Sequence, residues 1–221
     1  MNMDAEDLVR MSRVLRHRLR NYASGIKTSV MLLSRELKDR LALSELEYFP
    51  LIARECDNLA ELTERLSLLF EEFPAPKESL VATAIEQVMT RFRNLAPTAI
   101  VRVDITPDAS GLRVASGKCL AVCLEEILTN AHEAAPSGEI LLGGVREPDR
   151  LVLRVKDQGP GVKALALDDL FTPFYTTKSR HVGIGLAIAR KSTEALGGKV
   201  RVSAVPSGGL VVEIELPIRG G

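Results

Sequence analysis

The sequence predicts an α+β chain. A long antiparallel helical hairpin, which closes into a four-helix bundle when two copies pair, is followed by an α/β sandwich with a mixed sheet. Three observations predict it. Residues 1–73 contain one glycine, Gly25, and one proline, Pro50, as long helices demand. The texture changes at Pro74-Ala75-Pro76, beyond which lie almost all remaining glycines and prolines, with short β-branched runs between them. From there helical and extended patterns alternate and end in a hairpin, as in a mixed sheet covered on one face by helices. The expected organisation is a hairpin over 1–73, a linker over 74–77 and a sandwich domain over 78–221.

In the hairpin, Leu8, Leu15, Leu19, Tyr22, Ile26, Val30, Leu33 and Leu37 recur at helical spacing and mark one long amphipathic helix. Ser44 with Glu47 three residues on reads as a capping box opening a second helix, with Pro50 either near its first turn or kinking it slightly. Ile52, Leu59, Leu62, Leu66, Leu69 and Phe73 carry the second apolar stripe. Two antiparallel helices alone cannot bury both stripes, so residues 1–73 predict a homodimer. Further on, 79–94 reads as helix, 99–105 as extended and 117–135 as helix. Ile140–Val145 and Leu151–Val155 read as strands, followed by a Gly/Pro/Asp-rich stretch to about 183. A helix over 184–196 and strands over 199–205 and 209–216, joined at Ser207-Gly208-Gly209, complete the chain.

Composition narrows the function. The 221 residues are 46% hydrophobic and 26% charged, enough for a packed core and unlike a disordered or collagenous chain. Lys plus Arg (29) balances Asp plus Glu (29), which gives no support to bulk nucleic-acid binding. No apolar run approaches the ~20 residues of a membrane span, and the acidic start MNMDAEDLVR predicts no secretory leader. Cys56, Cys119 and Cys123, odd in number and helically spaced, fit reduced thiols in a cytoplasmic protein.

Four groups of residues carry chemistry. His17 lies two residues from both Leu15 and Leu19, which turns it to the solvent face, and Asn21 follows one turn later. When neutral, an exposed imidazole offers a nucleophilic nitrogen. Arg10, Arg13, Arg16, Arg18 and Arg20 surround it, a patch suited to an acidic or phosphorylated partner. Glu126 and Asn130 stand one turn apart on a second helix, and a carboxylate beside a carboxamide offers oxygen ligands suited to Mg²⁺. Asp157-Gln-Gly159-Pro-Gly161 follows the strand Leu151–Val155; the glycines admit a planar ligand and the carboxylate can accept from an exocyclic amine. Finally, in LFTPFYTTK, the aromatic pair Phe171 and Phe174 anchors a loop, and Lys178 is a candidate phosphate partner. Gly183 and Gly185, ahead of Leu186, open a helix whose N-terminal amides can receive an anion.

Asn130 to Asp157 is 27 residues and Asp157 to Gly183 is 26. That ordered set resembles the ATP-binding domain of sensor histidine kinases, within the superfamily shared by gyrase, Hsp90 and MutL. TNA matches the asparagine motif, DQGPG the first glycine motif, LFTPFYTTK the phenylalanine motif and GIGLAIA the second glycine motif. The helical pair with His17 and Asn21 resembles that family's dimerisation and histidine-phosphotransfer domain, so the likeness covers nearly the whole chain. Arg18 stands where an acidic residue usually follows the histidine, which places HRLRN nearer a subgroup with H-R-x-x-N. His181 and Val182 replace the usual Gly-Thr before Gly183, and Glu126 stands where many histidine kinases carry Asn but gyrase-like members carry Glu.

The resemblance implies a cytoplasmic kinase core of a two-component system that phosphorylates its own His17 from ATP and passes the phosphoryl group to an aspartate on a response regulator receiver domain. Asn130 and Glu126 would hold Mg²⁺, and Asp157 would read the adenine beside Gly159 and Gly161. Lys178, Gly183, Gly185 and Leu186 would line the phosphates, and Asn21 matches a position linked to dephosphorylating the partner. Two other readings fit the same residues. One is a histidine phosphotransferase with a kinase-like domain that no longer uses ATP. The other is a superfamily ATPase, mechanical or a protein-serine kinase, with the histidine helix only structural.

Overall fold

A computed structural model of the chain describes residues 5–38, 40, 46–70, 72–73, 76–162, 167–176, 178, 182–206 and 208–218. Ser44, Pro74, Ala75, His181 and Ser207, each used in the reading above, lie outside the described residues. The chain divides into two units, Met1–Glu72 and Phe73–Gly221.

The first unit is built from α1 (Ala5–Leu37) and α2 (Tyr48–Phe70). Pro50 occupies the first turn of α2, where its missing N–H costs no intrahelical bond. The helices meet through small side chains: Ala23 of α1 and Cys56, Thr63 and Ser67 of α2 are buried. The two buried hydroxyls are satisfied within α2, Thr63 Oγ1 donating to Ala60 O and Ser67 Oγ to Glu64 O, both at 2.7 Å. Ion pairs fix the register. Lys27 Nζ reaches Asp57 at 2.6 Å, and Glu64 of α2 takes both Arg16 and Arg20, one turn apart on α1. Leu59, Leu62, Leu66 and Leu69 of α2 are half-buried, but other large apolar residues of the hairpin are not. Leu15, Leu19, Tyr22, Ile26 and Leu33 of α1 and Ile52 of α2 all stay exposed.

The second unit is a sandwich of one sheet and one helical layer. Its elements are β1 (Ser79–Leu80), α3 (Val81–Leu95), β2 (Ile100–Ile105), α4 (Pro107–Ser110), β3 (Arg113–Val114) and α5 (Gly117–Ala134). Then come β4 (Glu139–Arg146), β5 (Arg150–Lys156), a 3₁₀ turn η1 (Asp168–Phe171), α6 (Gly185–Ala195), β6 (Lys199–Ala204) and β7 (Leu210–Pro217). The sheet order is β2-β4-β5-β7-β6, with β2 parallel to β4 and every other pair antiparallel. Alternation along each strand sorts the faces. Ile140, Leu142, Leu151, Leu153, Ile214 and Leu216 point inward and are buried. The other face carries cross-strand ion pairs, Arg154 with Glu213 at 2.6 Å and Arg201 with Glu215 at 2.9 Å, and so presents charge to water.

α5 lies at the centre of the helical layer. Ser116 caps it, its hydroxyl accepting from Cys119 N at 3.3 Å, and Leu120, Leu124, Ile127, Leu128 and Ala131 bury one face. That burial orients the chemistry of its last turn. Cys123 is fully enclosed, with Sγ 3.1 Å from Thr193 Oγ1 of α6.

Three details depart from the sequence reading. Ser79 and Leu80 are not the start of a helix but pair with Val114 and Arg113 as a two-residue ladder, because Leu112 O accepts from Val81 N and ties the two segments together. Within the stretch read as loop, residues 168–171 wind into a 3₁₀ turn around the buried Phe171. Phe73, read as the last residue of the second apolar stripe, lies beyond α2 and packs on the core of the second unit, under the ammonium of Lys191 at 5.7 Å.

Candidate active site

Two groups of residues stand out, one in each unit. On α1, His17 is exposed and its Nδ1 lies 3.2 Å from Asn21 Nδ2, one turn on. That contact leaves Nε2 as the outward nitrogen. Turning the carboxamide over substitutes Oδ1 for Nδ2, so Asn21 can also hold an Nδ1–H and fix the tautomer in which Nε2 bears the lone pair.

In the second unit, Asp157 follows β5 directly and is only 4% exposed. Its backbone N–H donates to Leu210 O at 3.0 Å, and its Oδ1 accepts from Gly159 N at 2.8 Å and Leu210 N at 3.2 Å. Both hydrogen bonds of the carboxylate among the described residues fall on Oδ1. Oδ2 of this buried group is left to accept from a ligand. Such an acceptor suits an exocyclic amine, so the residues present fit an adenine base. The two glycines of this loop differ in what they face. A Cβ on Gly159 would lie 2.8 Å from Ala134 Cβ, so the room saved there is taken by the last turn of α5. Gly161 turns the chain at φ +71° beside Gly209. Gly209, at φ +88°, is required: a Cβ there would lie 2.2 Å from Asp157 O.

The loop therefore rests against α5 one turn beyond Asn130, which is half-buried on that helix, with Glu126 half-buried a turn earlier. Lys178, 48 residues on, reaches Asn130. Its Nζ donates to Asn130 Oδ1 at 3.0 Å and to Asn130 O at 3.4 Å, and it also pairs with Glu133 Oε2 at 3.0 Å. The carboxamide oxygen thus accepts a cation in this structure, which is the chemistry that a Mg²⁺ ligand requires.

The segment leading to α6 is shaped by its backbone. Phe174 N donates to Gly183 O at 2.8 Å, and Gly183 sits at φ +72°, where a Cβ would fall 2.4 Å from Tyr175 O. Phe174 itself lies in the left-handed region at φ 69° and is 58% exposed. Of the two phenylalanines, Phe171 is the one that anchors this segment, buried with the Arg190 guanidinium 4.9 Å over its ring. The expectation that both aromatics do so is corrected on that point: the turn closed by Tyr175 N and Thr172 O swings Phe174 outward. Gly185 opens α6, and Leu186 is buried beneath it.

The structure thus brings together Asp157, Gly159 and Gly161; Asn130 with Lys178; and His17 with Asn21. Two participants went unread in the sequence. Glu133 was signalled only by its i,i+3 spacing from Asn130. Leu210 was signalled only by the glycine pair before it.

Residues 117–220 match the family described as histidine kinase-, DNA gyrase B- and HSP90-like ATPase. Among curated proteins the chain is similar to the C4-dicarboxylate transport sensor protein DctB of Rhizobium meliloti (strain 1021), at 31% identity over 172 residues, which is 71% of this chain and 27% of that protein. It is similar to the sensory histidine kinase/phosphatase NtrB of Rhizobium leguminosarum bv. phaseoli, at 30% identity over 217 residues, 88% of this chain and 54% of that one. The chain thus spans between about a quarter and about half the length of these two relatives. In fold it matches full-length ShkA, solved in complex with AMPPNP, with a TM-score of 0.78 at 21% identity over 96% of this chain and 46% of that one. Together with a helical hairpin bearing an outward histidine and a sandwich bearing a buried aspartate, these likenesses show that residues 117–220 belong to the histidine kinase-, DNA gyrase B- and HSP90-like ATPase family and that the chain has the build of a sensor histidine kinase catalytic core.

Proposed function

We propose that the chain is an ATP-dependent protein-histidine kinase that phosphorylates His17 and hands the phosphoryl group to an aspartate of a receiver domain. The observation that carries this reading is the buried Asp157 carboxylate with Oδ2 left for a ligand, next to the turn of α5 that holds Asn130. The family match over 117–220 supports ATP as the ligand.

In this reading Asp157 Oδ2 accepts from the adenine amine, and the two backbone amides on Oδ1 keep the carboxylate from turning away. Asn130 and Glu126 hold Mg²⁺, which offsets charge on the transferring group when bound. Lys178, Gly183 and Gly185 line the phosphate end, with Leu186 buried beneath the start of α6. His17 Nε2 attacks the γ-phosphorus in line, the bond to the bridging oxygen breaks and ADP leaves. Asn21 holds Nδ1, and the proton shed from the ring passes to water, which reaches the exposed imidazole. The arginines flanking His17 favour an acidic partner surface, and the exposed apolar residues of α1 and α2 favour pairing with a second copy. Incubation with γ-labelled ATP and Mg²⁺ gives acid-labile label on the wild-type protein and none on His17→Gln. Label that persists in His17→Gln overturns the assignment.

A further inference from the structure

Lys178 occupies an atom that a metal would also use. Its ammonium lies on Asn130 Oδ1, the atom assigned above to Mg²⁺, and is held there by Glu133 Oε2 at 3.0 Å. Asn130 and Glu133 are three apart on α5 and so share a face, which lets one cation touch both. A carboxamide oxygen has two lone pairs, but an ammonium and a divalent ion sharing Asn130 Oδ1 would set like charges side by side, so a metal at that atom works against the Lys178 contact. Lys178 also holds the Asn130 main-chain oxygen at 3.4 Å, so its three contacts form one cluster on the last turn of the helix.

We propose that Glu133 is a positioning residue that parks Lys178 on Asn130 when nucleotide is absent, and that Mg·ATP binds by exchange: the metal replaces the ammonium at Asn130 Oδ1, and the ammonium moves to the phosphates. This rests on the kinase reading above. The parked contact keeps the carboxamide aimed and sets a cation against Glu133 in the empty protein. It also sets an entry cost on nucleotide, because the triphosphate must win Lys178 from the Glu133 carboxylate. Glu133 is thereby an affinity-setting residue that touches neither base nor metal.

Two measurements on the full chain test it. In titration calorimetry with Mg·AMPPNP, Glu133→Gln binds about 3- to 10-fold more tightly than wild type, while adenosine, which lacks phosphates, binds both equally. The gain vanishes in a Lys178→Met background. A gain that persists there makes Glu133 a simple repulsive charge and overturns the parking role, as does an equal gain for adenosine. In the second, lysines are reductively ¹³C-methylated and the Lys178 resonance is identified by its loss in Lys178→Met. That resonance shifts on Glu133→Gln without nucleotide, and shifts again when wild type is saturated with Mg·AMPPNP. A resonance indifferent to Glu133→Gln overturns the contact. Saturation with no shift at Lys178 overturns the exchange while leaving the kinase reading intact. Failure of wild type to bind any adenine nucleotide takes down both.

Discussion

Asp157 and Leu210 grip each other twice: Asp157 N donates to Leu210 O at 3.0 Å, and Leu210 N donates to Asp157 Oδ1 at 3.2 Å. The end of β5 is thereby clamped to the start of β7 at the one place where the carboxylate leaves the sheet. One oxygen is consumed in structure and the other is offered to a ligand, so the two roles of Asp157 can be separated by mutation.

Asp157→Asn keeps an oxygen that can accept both amides but loses the charge and places a donor where the adenine amine would donate. Its affinity for ADP falls by about 10-fold or more, the worth of one charge-assisted hydrogen bond at about 1.5–3 kcal/mol, and its melting temperature changes little. Asp157→Ala strands the amides of Gly159 and Leu210 in a buried place and loses about 1–3 kcal/mol for each as well as the binding. Calorimetry with ADP and thermal melts of both variants check this. Undiminished ADP binding by Asp157→Asn removes the base-reading role.

How much of this was legible beforehand follows from the range of each signal. The helices were readable because periodicity repeats over many turns, as in Leu120, Leu124, Ile127 and Leu128 of α5. The pairing of Ser79–Leu80 with Arg113–Val114 was not, since two residues carry no period. Asp157 was readable as a candidate from DQGPG, but its partner Leu210 lies 53 residues away and depends on the antiparallel register of β5 with β7. Lys178 was readable only as a candidate phosphate partner. That it rests on Asn130 and Glu133 required the segment before α6 to fold back on the last turn of α5, and nothing local in FYTTK encodes that return.

Cys123 yields a prediction in pH. Burial pushes its thiol up to about 12 from an ordinary 9.0, against a smaller downward pull from the Thr193 hydroxyl. The raised folded value means that the native protein keeps a proton which the unfolded chain gives up. The associated stability is therefore whole below about pH 9 and lost as pH climbs toward 12. This thiol contributes a fall of about 1.4 kcal/mol per pH unit over that interval. Urea melts at pH 8, 9 and 10 show wild type declining more steeply than Cys123→Ala, and the native thiol resists iodoacetamide at pH 8. Parallel slopes, or ready alkylation of the native protein, refute the assignment.

The apolar face of α1 gives the last prediction. Tyr22 is 63% exposed although it sits at helical spacing from Leu15, Leu19 and Ile26, which are exposed with it, while the hairpin seam is filled by Ala23, Cys56, Thr63 and Ser67. A single chain that packs its two helices through small side chains leaves the larger ones for another surface, and a second copy presents the same surface in return. Each such side chain buried between copies contributes about 1.5–3 kcal/mol. Wild type therefore sediments at twice the 24.1 kDa chain mass at micromolar concentration. Tyr22→Glu with Ile26→Glu, which also sets like charges against each other across the pair, raises the dimer dissociation constant by about 100-fold or more. Helical circular dichroism of the variant stays close to wild type, since neither residue is buried within the hairpin. A wild-type monomer, or a variant dimer of unchanged strength, would show that this face is not the one through which copies meet.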